Sequence, residues 1–128
     1  MRQKIAMETG ERLWLALIGL DGLMAVAAGA FGAHGVPDPQ ARELLRTGAQ
    51  YQLVHAAAAL ACCSLSGRPA AWAARLFGLG GLLFGGSLYL LAATGVRMLG
   101  AITPVGGLLM LAGWAALIWT ALTRPPEA

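Results

Sequence analysis

The sequence predicts an all-α integral membrane protein, a four-helix transmembrane bundle with a short interfacial helix between its first and second spans. Three observations predict it. No charged residue lies between Arg46 and Arg68, between Arg75 and Arg97, or between Arg97 and Arg124, and the stretch from Leu13 to Val36 is interrupted only by Asp21. Charged residues make up 12% of the chain and hydrophobic ones 58%. A soluble domain averages about 25% charged residues. A helix rises 1.5 Å per residue, so about 20 apolar residues cross a hydrocarbon core of roughly 30 Å, and each uncharged run is long enough.

The first span, TM1, is expected at about 13–33. Arg2 and Lys4 ahead of it resemble a signal-peptide start, but the apolar run exceeds the usual length of about 7–15 residues, so an uncleaved span is expected. Asp21 lies near its centre. A carboxylate there costs roughly 2.5–3.5 kcal/mol on the insertion scale, so it is expected to face the interior of the bundle. In the next connection Asp38 can cap a helix that has Pro39 at its first position, with Ala41, Leu44 and Leu45 on one face and Arg42 and Arg46 four residues apart. Gly48 is a plausible terminator, which predicts a short helix lying on the membrane surface.

TM2 is expected at about 50–66 and holds Cys62 and Cys63. Helical neighbours point about 100° apart and close no unstrained disulfide, so both read as small apolar fillers. TM3, at about 76–94, is rich in glycine, with Gly81 and Gly85 at small-xxx-small spacing. TM4, at about 101–122, opens on Thr103-Pro104, where proline in the first turn removes no needed hydrogen bond. Gly29 and Gly32 of TM1, Gly81 and Gly85 of TM3, and Gly106 and Gly107 of TM4 are the expected packing positions, because small residues let helix backbones approach closely in lipid. The whole chain, 1–128, reads as one transmembrane domain.

The net charge of +3 is read as a topology signal and not as a nucleic-acid footprint. With four spans, both tails and the TM2–TM3 connection share one side. That side holds Arg2, Lys4, Arg12, Arg68, Arg75 and Arg124, and the other holds Arg42, Arg46 and Arg97. The positive-inside rule then puts both termini in the cytoplasm. Trp14, Trp72 and Trp119 fall at the helix ends of the same side, as interfacial anchors do. The absence of an Arg- and Ser-rich leader favours a bacterial inner membrane over a mitochondrial one.

Several motifs carry a family resemblance. Gly29-Ala-Phe-Gly-Ala-His-Gly35 closes TM1, and Tyr51-Gln52 with His55-Ala56 opens TM2. Leu83-Phe84-Gly85-Gly86-Ser87-Leu88-Tyr89 lies in TM3, and Thr103-Pro104-Val105-Gly106-Gly107 with Gly113-Trp114 lies in TM4. Taken in order, these motifs resemble the YgdD-like inner-membrane family, the domain of unknown function 423, whose mitochondrial relative is transmembrane protein 256. Gly85 stands where that pattern has Ser, and Met110 where it has an aromatic. The resemblance implies a small four-helix membrane protein without an assigned activity.

The polar residues inside the spans are the remaining functional candidates. Asp21, His55, Ser87 and Tyr89 fall at similar depths and are able to form one polar layer. His34, Tyr51, Gln52 and His55 gather towards the outer side. Two histidines without a further Cys, Asp or Glu at ligand spacing fall short of a zinc site, and no metal or cofactor is expected. No nucleophile–base–orienter set or cofactor fingerprint is present, so an enzyme is not expected. The leading expectation is a non-catalytic accessory or assembly subunit packing against a larger membrane complex; the partners expected are membrane lipids and another integral membrane protein or further copies of the chain. The alternatives are a small oligomeric transporter or channel for protons or small cations using Asp21, and a lipid- or quinone-binding protein.

Overall fold

A computed structural model describes residues 7–127, so Arg2 and Lys4 lie outside the described residues. Four helices follow one another: α1 (Thr9–His34), α2 (Pro39–Cys62), α3 (Arg68–Thr94) and α4 (Thr103–Thr123), with a 3₁₀ turn at Arg97–Ala101 leading into α4. Among the described residues there is no strand.

Local chemistry sets the helix ends. Glu8 and Glu11 form a reciprocal capping box at the start of α1. Asp38 caps α2 as expected, its carboxylate accepting from the Ala41 N–H at 3.0 Å, with Pro39 in the first turn. Gly95 ends α3 in the left-handed conformation at φ +70°, which costs glycine little.

The separate interfacial helix does not form. Its residues are instead the first turns of α2, which runs unbroken from Pro39 to Cys62 through Gly48. Gly48 has no positive φ, so it does not end the helix. It is there for space, because a Cβ at this position would stand 2.7 Å from the Tyr89 ring on α3. Nothing else in the segment interrupts the backbone hydrogen-bond ladder, and the helix simply continues.

Among the described residues, three helical stretches are long and apolar enough to cross a membrane: Thr9–His34, Arg68–Thr94, and Arg97–Thr123, which joins the 3₁₀ turn to α4. At 24 residues α2 extends about 36 Å, but Arg42, Glu43 and Arg46 make its first half less apolar.

The central element is α3, which packs against both α2 and α4, while α1 lies on α2 and touches α3. Near the end shared by the two chain termini, Ile18, Ala59, Cys62, Ala73, Ala74 and Phe77 form an apolar cluster. Arg124 donates to the Ser66 carbonyl at 3.0 Å, tying the end of α4 to the α2–α3 connection.

The α3–α4 contact is a backbone contact. A Cβ on Gly106 would stand 2.5 Å from the Phe84 amide nitrogen and 2.8 Å from the Gly80 carbonyl. Gly113 takes the Phe77 ring, which a Cβ there would meet at 2.6 Å. Gly107, one residue from Gly106, has nothing within 4 Å. Gly106→Ala is therefore expected to destabilise the fold by about 1–3 kcal/mol, because backbone cannot yield as a side chain does. Gly107→Ala should change stability by less than about 0.5 kcal/mol. Denaturant unfolding in detergent micelles, followed by helicity, checks the pair.

Candidate functional site

The interior face of each helix is laid out by its spacing. On α1 the buried positions are Ile18, Asp21, Ala25 and Gly32, a stripe that carries Asp21 inward. On α2 the buried set includes Leu45, Gly48, Gln52, His55 and Ala59, so Gln52 and His55 lie on the interior face. On α3, Gly78, Gly81 and Gly85 present bare backbone to these side chains.

Asp21 and Gln52 are both fully enclosed, at 0% exposure. The Gln52 side-chain amide donates from Nε2 to Asp21 Oδ1 at 2.7 Å, and its Oε1 accepts from the Tyr89 hydroxyl at 2.7 Å. The two contacts together fix the direction of the amide. A line of hydrogen bonds thus runs from α3 through α2 to α1. A Cβ on Gly85 would stand 2.7 Å from Gln52 Oε1, and one on Gly81 would lie 3.7 Å from the Gln52 Cγ and 3.8 Å from Asp21 Oδ1. The bare backbone of α3 is the room in which the polar pair sits. Asp21 Oδ2 is buried and has no hydrogen-bond partner among the described residues.

His55 belongs to a second network. Its Nε2 accepts from the Trp114 indole N–H at 3.0 Å, and its Nδ1 stands 2.6 Å from the Tyr51 carbonyl. Because Nε2 accepts, the proton must sit on Nδ1, which donates to that carbonyl, so the ring is neutral. The ring also lies 5.6 Å from Phe77 and 5.9 Å from Trp114, centroid to centroid. Ser87 belongs to a third network: its hydroxyl is 2.7 Å from that of Thr103, joining α3 to the start of α4.

The expected single polar layer is therefore divided. Asp21 and Tyr89 meet through Gln52, whereas His55 and Ser87 bond elsewhere. His34 is the exposed last residue of α1, and no hydrogen bond joins it to His55 among the described residues. Tyr51 is exposed and packs on Phe84, ring centroids 4.9 Å apart. Among the described residues no group of three or more His, Cys, Asp or Glu side chains is placed to hold a metal ion.

Of the glycines named from sequence, Gly29 faces Ala49 and Gly32 faces Leu45 across the α1–α2 contact, and Gly107 packs on nothing. Sequence reasoning missed the direct Asp21–Gln52 link, although Gln52 falls at helical spacing from Leu45, Gly48 and Ala59. It also missed the Trp114 donor to His55 and the Thr103 partner of Ser87. Their pairings depend on how α4 docks, which spacing along one helix does not reveal.

The family described as "Protein of unknown function (DUF423)" matches residues 28–107, which include Gln52, His55, Ser87 and Tyr89. This chain belongs to that family. A UPF0382 membrane protein of Staphylococcus epidermidis is 40% identical over 113 residues, covering 84% of this chain and 93% of the relative. The UPF0382 membrane protein YwdK of Bacillus subtilis is 37% identical over 123 residues, covering 87% and 97% respectively. The UPF0382 inner membrane protein YgdD of Escherichia coli is 38% identical over 114 residues, covering 84% and 87%. No solved structure matches. The names of these relatives place them in a membrane and assign no activity, so the DUF423 chain described here is a membrane protein of a family without an established function.

In this chain the Asp21–Gln52–Tyr89 line joins three helices. Gln52→Leu removes two hydrogen bonds and leaves the fully enclosed Asp21 without its amide donor, so a loss of about 1–3 kcal/mol is expected. Asp21→Asn keeps an oxygen for the Gln52 amide and should cost less than about 1 kcal/mol. Unfolding of both variants in the same micelles compares them.

Proposed function

We propose that this DUF423 protein is a non-catalytic membrane component that works by association with another integral membrane protein or with further copies of itself. All four helices cross a bacterial inner membrane, with both termini in the cytoplasm. The observation that carries the reading is the state of Asp21, which is enclosed by α1, α2 and α3 and lies outside the clefts at the two ends of the bundle and on the α3–α4 flank. A carrier must expose its ionisable group to each side in turn. A carboxyl wedged against Gly78, Gly81 and Gln52 is suited to holding helices in register.

One feature weighs against the reading: Gly81 and Gly85 are buried within the chain and offer no outer surface to a partner. Others support it. Open small-residue positions remain on the outer helices, where Gly19 and Gly22 of α1 and Gly107 of α4 have nothing within 4 Å. Such positions allow a neighbouring helix to approach closely. For α2, side-by-side packing with α3 and α1 supports a fourth crossing, its Arg42 and Arg46 lying towards one membrane surface. Among the described basic residues, Arg12, Arg68, Arg75 and Arg124 flank the end shared by the termini, which supports the cytoplasmic side by the positive-inside rule.

A second reading, a proton- or cation-linked carrier using Asp21, is favoured by its unpartnered Oδ2 and by the hydrogen-bond line to Tyr89. A lipid or quinone site at His34, His55 and Tyr51 has less support, since both nitrogens of His55 are engaged within the chain.

Native-gel migration of the tagged protein from gently solubilised membranes, with mass spectrometry of what travels with it, tests the proposal. Stoichiometric co-migration with a larger complex, or a homogeneous homo-oligomer, is the expected result, and a bare monomer would overturn it. In reconstituted vesicles the parent and Asp21→Asn proteins should pass protons no faster than empty vesicles. A flux present in the parent and lost in the variant would establish the carrier instead.

A further inference from the structure

At the end of the bundle shared by the chain termini, a cleft of about 470 Å³ opens between the start of α1, the end of α2 and the first turns of α3. Much of its wall is apolar, built by Leu15, Leu65, Ala71 and Ala74. It also carries one charge of each sign, Glu11 from α1 and Arg75 from α3. The Arg75 guanidinium lies 5.5 Å from the Trp14 ring centroid and 5.6 Å from that of Trp72. Stacking on indole holds a guanidinium through its face and leaves the N–H donors around its edge to meet an anion. Glu11 Oε2 accepts from the Glu8 N–H at 3.1 Å, so one carboxylate oxygen closes the helix cap, and the other has no hydrogen-bond partner among the described residues.

We propose that this cleft binds a phospholipid with a primary-amine headgroup, phosphatidylethanolamine. The phosphate meets the edge of Arg75, the ammonium meets Glu11, and an acyl chain follows the apolar wall. Charge complementarity selects this occupant. A phosphate beside Arg75 brings the rest of the headgroup towards Glu11, where an ammonium gains a charge-assisted hydrogen bond, a hydroxyl donates a weaker one and a second negative group is repelled. A water-soluble zwitterion would match the charges but leave the apolar wall uncovered. Trp14 and Trp72 set the depth, since tryptophan favours the headgroup level of a bilayer. The inference is independent of the role given to Asp21, which lies outside this cleft.

The test is native mass spectrometry of the full chain released from micelles doped with phosphatidylethanolamine or phosphatidylglycerol at equal mole fraction. The parent should retain the amine lipid about fivefold better, the upper range for an exposed charge pair. Glu11→Gln keeps an oxygen for the capping contact and should bring the ratio close to one without loss of the glycerol lipid. Arg75→Ala should lower retention of both lipids, while Arg46→Ala, at the other end of the bundle, should leave the ratio unchanged. Tryptophan quenching by brominated phosphatidylethanolamine gives a second readout and should fall in Glu11→Gln. Equal retention of the two lipids by the parent, or a preference that survives Glu11→Gln, overturns the proposal. Circular dichroism confirms that each variant keeps its helices before its result is counted.

Discussion

A polar side chain inside a bilayer has no water to return to, and that constraint organises this bundle around Asp21. The carboxyl has to be enclosed by protein, so α1 must turn this face towards α2 and α3 and keep it there. Gln52 is the side chain that makes the enclosure specific, since its amide offers a donor to Asp21 and an acceptor to Tyr89 at once. Individual hydrogen bonds in membranes average only about 0.6 kcal/mol. The larger effect is negative, because any slip in register strands Asp21, Gln52 and Tyr89 together.

The polar line needs space, and α3 supplies it by having no side chains where the line passes. Gly78, Gly81 and Gly85 form a bare strip towards α1 and α2, while Gly80 and the Phe84 backbone meet Gly106 of α4 on another face. The glycines of α3 thus do two jobs. One set admits side chains between helices, and the other lets two backbones touch. In a medium where apolar surface gains nothing by hiding from lipid, close packing of this kind is a main source of association. A helix built this way belongs in the centre, and α3 is there.

The same constraint bears on function. The ionisable and imidazole groups within the bundle are engaged in holding helices together, and the clefts lie elsewhere, at the two ends and on the α3–α4 flank. The cleft proposed to bind lipid lies at the end shared by the termini, where Arg75 and Glu11 line it beside Trp14. That arrangement supports the proposal of a protein that works by association at its surface.

The membrane character, the all-helical fold, the Asp38 cap and the inward direction of Asp21 were all legible in the sequence. Each follows from a local rule: run length, capping chemistry, or the cost of a charge in hydrocarbon. The short interfacial helix was a misreading of Gly48, because from sequence a glycine that ends a helix looks the same as one that admits a neighbour. What tertiary structure alone decided is who pairs with whom. Gln52 chooses Asp21 and Tyr89, Trp114 chooses His55, and Thr103 chooses Ser87, through the rotation and depth at which separate helices dock. A sequence states the period of each helix but not its phase against the next, and that phase depends on contacts between residues far apart in the chain.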